Sequence, residues 1–303
     1  MSLSFKHLLN TQQLNNIDIE KIITLSHQYK ADFTAGKRAW NTHSSFILST
    51  LFFEPSTRTR FSFESAMLRL GGKVISLENG ASSSLTKGES LQDTARVISG
   101  YADITVIRHP DKGSSDIFAE YSSIPVINGG DGSNQHPSQS LADLFTIKYS
   151  CETLDNLTIG IVGDLKHSRT VYSLLYLLSG YTNNTFILTS HPLCRLSIEK
   201  INILKSRGGN IIETEELNLT NIDALYVVRV QKERFTNHDE YHSVKNKYVI
   251  TKEMCENSKA IILHALPRIN EIHSSVDSLP QALYFTQAHN AVFVRMALLT
   301  LLL

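Results

Sequence analysis

Residues 45–78 read SFILSTLFFEPSTRTRFSFESAMLRLGGKVISLE. Positions 45–53 form an apolar run of the length and composition of a strand covered on both faces. Pro55 suits a turn, Ser56 or Thr57 can cap a helix, and Phe63, Met67 and Leu70 then fall on one helical face before Gly71 and Gly72 stop it. KVISLE, 73–78, is a second strand, so the stretch reads strand, loop, helix, strand: a parallel crossover unit. In such a unit the unpaired N–H groups at the helix start face the carboxyl edge of the sheet, where open α/β folds bind anions. Five consecutive residues there, Ser56 to Arg60, carry three hydroxyls and two guanidiniums. An arginine in the first helical turn sits at the positive end of the dipole, which costs roughly 0.3–1 kcal/mol unless something negative is present. The pattern predicts a phosphate cradle built without a Walker loop, since GxxxxGK[ST] does not occur. Arg60 falls on a different face from Arg58, and a purely solvated role stays open for it.

Outward from this unit, short apolar runs alternate with helical patterns along the whole chain. Strands are expected at 45–53, 73–78, 102–107, 124–128, 157–162, 185–190, 222–228 and 259–263, giving an α/β fold of two doubly wound parallel sheets. The segment 137–151, PSQSLADLFTIKYSC, places Leu141, Leu144, Phe145 and Tyr149 near helical spacing and reads as a helix bridging two domains, 1–150 and 151–287. The last segment, AVFVRMALLTLLL, is apolar on most sides and reads as a buried helix, with Arg295 expected as a charge at its rim.

Composition narrows the function classes. Of 303 residues, 42% are apolar and 19% charged, with Lys plus Arg equal to Asp plus Glu at 29 each. No net field draws such a chain to nucleic acid or an acidic membrane, so any anion site is local. Three widely spaced cysteines form no CxxC pattern and argue against a disulfide framework or a zinc site. The opening MSLSFKHLLN lacks the apolar core of a signal peptide, and the terminal apolar run is too short to span a bilayer, so a soluble, cytoplasmic protein is expected. GDGSNQ at 130–135 departs from GxGxxG at its last position, so no nicotinamide cofactor is expected.

Further polar groups stand at strand ends. Arg108 follows the strand at 102–107. NGGDGSNQHPSQS, 128–140, brings His136 and Gln139 to the start of the bridging helix. ASSSLTKGES, 81–90, reads as a surface loop carrying Lys87. In the second half, IVGDLKHSRT puts Arg169 at a helix start and VVRVQKER puts Arg229 and Gln231 at another strand end. Two arginines on separate βα loops can grip two carboxylates, and guanidinium forks favour that pairing. Arg229 and Arg234 also read as surface or inter-domain salt bridges.

STRTRFSFESA, RHP, DGSNQHPSQSLADLFTI, GDLKHSRT, RVQKER and HALPR occur in the order and approximate spacing of the aspartate carbamoyltransferase catalytic chains, which the sequence resembles from about residue 5 to its end. STRTR is shared with the ornithine enzymes, but RVQKER and HALP resemble the aspartate enzymes, because ornithine enzymes usually carry Cys where Ala265 stands. The resemblance implies a transferase making N-carbamoyl-L-aspartate, the committed step of pyrimidine biosynthesis, with no cofactor and no metal. It implies that Ser56, Thr57, Arg58 and Thr59 hold the phosphate of carbamoyl phosphate, and that Thr59, Arg108 and His136 face its carbamoyl oxygen. Gln139 and the carbonyls of Leu266 and Pro267, across a cis peptide, would receive the carbamoyl NH2. Arg169 and Lys87 would meet the α-carboxylate of aspartate, and Arg229 and Gln231 its side chain. Ser83 or Ser84, together with Lys87, would come from the neighbouring subunit of a homotrimer, and regulatory chains are possible partners. Glu54 would bridge to Arg169 and Arg234 on domain closure, and the helix 288–303 would pack on the first domain. The acceptor could instead be ornithine or another amine, or the cradle could serve a non-catalytic sensor of a phosphorylated metabolite.

Overall fold

A computed structural model describes residues 2–78 and 87–303. The chain divides into two compact units, residues 1–145 with 289–303, and residues 146–288. In the first, α1 (Asn16–Thr34) leads into β1 (Ile47–Phe52), α2 (Thr57–Leu70), β2 (Lys73–Glu78), α3 (Leu91–Ile98), β3 (Ile104–His109), α4 (Ser114–Tyr121), β4 (Val126–Asp131) and α5 (Pro137–Cys151). Its strands pair in parallel in the order β2-β1-β3-β4. The run that opened the sequence reading is thus a central strand: Leu48, Leu51 and Phe52 are buried, and hydroxyls at Ser49 and Thr105 satisfy one another across β1 and β3 at 2.6 Å. Phe63, Met67 and Leu70 of α2 are fully buried, and Gly71 ends the helix at φ +90°, where a Cβ would come within 2.8 Å of the Asn41 backbone.

The second unit holds β5 (Thr158–Gly163), α6 (Arg169–Leu178), β6 (Thr185–Thr189), α7 (Ile198–Ser206), β7 (Asn210–Thr214), β8 (Ala224–Val228), α8 (His238–Val244), α9 (Lys252–Cys255) and β9 (Ile261–Leu263), and α10 (Tyr284–Leu302) starts in it. Its sheet is parallel in the order β7-β6-β5-β8-β9. Strand β7 is absent from the sequence expectation. It lies at the sheet edge, is partly exposed, and offers only two adjacent isoleucines as an apolar signal. Both α5 and α10 run across the boundary between units, α5 at Phe145 and α10 at Ala288. The later part of α10 packs in the first unit, where Phe293 meets Phe33 at 5.4 Å between ring centroids and Thr300 bonds to the Tyr29 hydroxyl at 2.9 Å.

Arg295 corrects the sequence reading. It does not sit at a rim: it is 2% exposed, with its guanidinium over the Phe63 ring at 4.9 Å. Helical periodicity could not reveal this, because a helix apolar on every side has no polar face to which a lone charge can be assigned.

Candidate functional site

In the first unit the polar groups converge on the carboxyl edge of the sheet. Helix α2 starts with Ser56 at the N-cap, yet that hydroxyl makes no capping bond to the helix, and the first turn contains no acid. The orphan N–H groups of the turn are therefore not capped by the Ser56 side chain and have the geometry to receive an anion. Arg58 is exposed on this turn, its pKa lowered by partial burial, and Thr59 behind it is buried. A cleft of about 300 Å³ opens beside the turn, lined among others by Glu54, Pro55, Ser56 and Thr57. Arg60 also lines this cleft, where it pairs with Glu64 at 3.9 Å and with Glu78, and stacks over Phe61. That is an ion-pair role for a largely buried side chain at the wall of the cleft rather than a solvated one.

Strand ends bring the other candidates to the same edge. Arg108, near the end of β3, donates to the Gly129 carbonyl at 3.4 Å and forms an ion pair with Glu54 at 3.3 Å. His136, 4% exposed, precedes α5, and its Nε2 lies 3.3 Å from the Thr59 hydroxyl. Gln139, in the first turn of α5, donates its Nε2 to Asp143 at 2.7 Å. A carboxylate only accepts, so this bond fixes which way the amide faces and leaves Oε1 as the group available to a donor. The loop holding His136 is built on Asp131, which sequence reasoning passed over. One of its oxygens accepts from Asn128 at 2.9 Å and the Gln135 amide at 3.1 Å; the other accepts from Gly113 and Asn134, both at 2.9 Å. An acid inside a Gly-rich loop at a strand end was the available signal.

The second unit builds a separate group of cations and acceptors. Gly163 ends β5 at φ +123°, and a Cβ there would meet the Val228 carbonyl of β8 at 2.0 Å; only glycine lets the two strand ends approach so closely. Asp164 follows, fully buried, and accepts from the His167 backbone at 3.2 Å, its Nδ1 at 2.9 Å, and the Gln231 amide at 3.3 Å. Gln231 returns a bond from Nε2 to the His167 carbonyl at 2.9 Å. Arg169 opens α6, half-buried, after a Ser168 N-cap whose hydroxyl bonds to the Thr170 hydroxyl at 3.1 Å rather than to a helix N–H. Arg229 sits against Glu233 through both guanidinium ends, one of them at 3.3 Å. Partial burial pushes the Glu233 carboxyl up, but the Arg229 bond and charge outweigh it and hold the group below its usual range. Arg234 is exposed in the short turn Lys232–Arg234.

After β9 the chain makes a tight loop at HALPR. The Leu266–Pro267 peptide is cis, as the resemblance implied, and Leu266 has φ +57°. Its N–H donates to His264 Nδ1 at 2.7 Å, while His264 Nε2 pairs with Glu271 at 2.7 Å. The other Glu271 oxygen accepts the Ile269 and Asn270 amides, both at 3.1 Å. His264 and Glu271 are 4% and 5% exposed, so a buried acid and imidazole shape the loop that carries Leu266 and Pro267. Arg268 is tied to Asp277, with one contact at 2.6 Å. Lys87 is exposed, and Ser83 and Ser84 lie outside the described residues.

Comparison with known proteins gives the family of both halves of the chain. Residues 6–149 match the model of the aspartate/ornithine carbamoyltransferase carbamoyl-P binding domain, and residues 155–302 that of the Asp/Orn binding domain. The chain is 47% identical over 296 residues to the aspartate carbamoyltransferase catalytic subunit of Methanocaldococcus jannaschii, covering 97% of this chain and 96% of that protein. The crystal structure of the M. jannaschii catalytic subunit superposes with a TM-score of 0.92 at 46% identity, covering 98% of each chain. The Trypanosoma cruzi aspartate transcarbamoylase solved with carbamoyl phosphate and aspartate superposes with a TM-score of 0.92 at 34% identity, over 98% of this chain and 96% of that one.

Proposed function

This chain belongs to the aspartate/ornithine carbamoyltransferase family, and from that premise we propose how its residues divide the transfer of a carbamoyl group. Its activity is that of an aspartate carbamoyltransferase: carbamoyl phosphate and L-aspartate give N-carbamoyl-L-aspartate and phosphate, in pyrimidine biosynthesis. Ser56, Thr57, Arg58, Thr59 and the free N–H groups of the α2 turn take the phosphate. Thr59, Arg108 and His136 donate to the carbamoyl oxygen, and Gln139 Oε1 with the carbonyls of Leu266 and Pro267 accepts from the carbamoyl NH2. Arg169 and Lys87 take the α-carboxylate of aspartate, and Arg229 and Gln231 its side chain.

The α-amine attacks the carbamoyl carbon, charge gathers on the carbamoyl oxygen, and the C–O bond to phosphate breaks. The departing phosphate accepts the amine proton, so the scheme uses no carboxylate base. Holding two mutually repelling anions in attack geometry contributes about 7–11 kcal/mol, and each preorganised donor to the oxyanion about 3–4 kcal/mol. The observation that carries the donor half is the acid-free, uncapped start of α2, with Thr59 3.3 Å from His136. Phosphate release measured with aspartate and with ornithine tests the reading. Turnover with aspartate alone is expected. Tight binding of carbamoyl phosphate without turnover of any amine would make the chain a sensor, and turnover of ornithine would overturn the roles given to Arg229 and Lys87.

A homotrimer follows from the same reading, with Ser83 or Ser84 and Lys87 serving the neighbouring subunit. Phe61 and Leu68, one heptad apart on the outer face of α2 and 52% and 61% exposed, support it as a face to be covered by another copy. Native mass measurement tests it, and regulatory chains would appear there as added mass in the assembly isolated from its source. The cytoplasm is the proposed location; no helix among the described residues is long and apolar enough to cross a membrane.

A further inference from the structure

Arg295 takes no part in the scheme above. Its guanidinium is buried beside Phe63, and two of its nitrogens, Nε and Nη2, have no hydrogen-bond partner among the described residues. Removing a cation from water is costly, and an apolar residue of similar volume would fill this space without the cost. Burial pulls the guanidinium down to about 9, which still leaves it charged at neutral pH, and the carboxylate of Asp143 opposes the fall.

What the cation reaches is more telling. Arg295 Nη1 donates to the Ser62 hydroxyl, and that hydroxyl bonds back to the carbonyls of Arg58 at 2.5 Å and Thr59 at 2.9 Å. One side chain on α10 is thus linked through one intermediary to the first turn of α2. We propose that Arg295 is a positioning residue for carbamoyl phosphate: through Ser62 it fixes the turn bearing Arg58 and Thr59.

The inference rests on the reading of Ser56–Thr59 as the phosphate end of the carbamoyl phosphate half-site.

Steady-state kinetics with each substrate varied, alongside thermal unfolding, test it in Arg295→Met, Arg295→Lys and Ser62→Ala, with Arg58→Ala as the site control. Arg295→Met is expected to raise the KM for carbamoyl phosphate about tenfold or more and to lower kcat, leaving the KM for aspartate within about twofold. Arg295→Lys keeps a charged donor in reach of the Ser62 hydroxyl and should recover part of the loss. Ser62→Ala should shift the same constants by about threefold. A purely structural role would lower the melting temperature without separating the two KM values. Unchanged carbamoyl phosphate constants in a folded Arg295→Met enzyme overturn the proposal; should that variant not fold, unchanged constants in both Arg295→Lys and Ser62→Ala do so. If Arg58→Ala itself leaves carbamoyl phosphate kinetics intact, the half-site reading fails instead.

Discussion

Replacing Glu271 by alanine probes the loop that carries Leu266 and Pro267. The Glu271 carboxylate accepts from His264 Nε2 and from the amides of Ile269 and Asn270. Ile269 and Asn270 are exposed, so water can take over for their amides, but His264 is 4% exposed and would be left with a donor facing nothing. An unsatisfied buried donor costs about 1–3 kcal/mol, and breaking a buried acid–imidazole pair brings the total to about 2–4 kcal/mol. At about 2–4 °C per kcal/mol for a unit of this size, the melting temperature should fall by about 5–15 °C. The functional loss has a separate origin. Leu266 occupies the left-handed region, which costs a non-glycine residue about 1–2 kcal/mol, and its N–H is held there by His264 Nδ1. That bond requires Nδ1 to be bare and Nε2 to carry the proton, the tautomer that Glu271 selects. Without Glu271 the Leu266 and Pro267 carbonyls lose their fixed direction, and kcat should fall by about 10- to 100-fold well below the melting point. Calorimetry and a colorimetric assay of carbamoyl-aspartate measure the two effects. A variant that melts within about 1 °C of the parent and keeps its kcat would refute the reasoning.

Other outcomes follow from the same geometry. Glu271 is pushed up by burial, but the bond and charge of His264 and the backbone amides outweigh this and hold its pKa below the usual value. Its stabilising contribution is therefore complete above about pH 4.3 and lost as pH falls through the lower, folded value, so the stability gap between the parent and Glu271→Gln should hold from neutrality to about pH 5 and narrow below. Arg58→Ala should cut kcat by about 10²- to 10³-fold with a modest effect on the KM for aspartate, because its contact strengthens as phosphate leaves. Arg229→Ala should mainly raise the KM for aspartate, and the reverse pattern in these two variants, read by steady-state kinetics, would exchange the half-sites. Gly71→Ala, forced to φ +90° against the Asn41 backbone, should lose about 1–3 kcal/mol of stability in a denaturant titration while leaving both KM values unchanged.

The parts legible in the sequence are those whose chemistry is local. A central parallel strand such as β5 announces itself as LTIGIV because both its faces are covered, and the α2 turn announces itself because hydroxyls and arginines crowd a helix start. Strand β7 was silent because an edge strand needs little apolar surface. Asp164, Asp131, Glu271 and Asp143 were passed over for a different reason: apart from the Gly-rich setting of Asp131, nothing in the neighbouring letters distinguishes an acid that accepts hydrogen bonds inside the fold from a solvated one. Arg60 and Arg295 show the limit most directly. Both are arginines on helices, and one is paired with carboxylates at the wall of a cleft while the other is sealed inside.

Helix α10 begins in one unit and ends in the other, and its last turns supply Val294, Met296, Leu298 and Leu299 to the interior of the first. During synthesis the sheet β2-β1-β3-β4 emerges early but lacks that wall until everything through Ala288 has been translated. The half made first is therefore finished last, and its exposed apolar seam must be kept from other nascent chains while the second half is made.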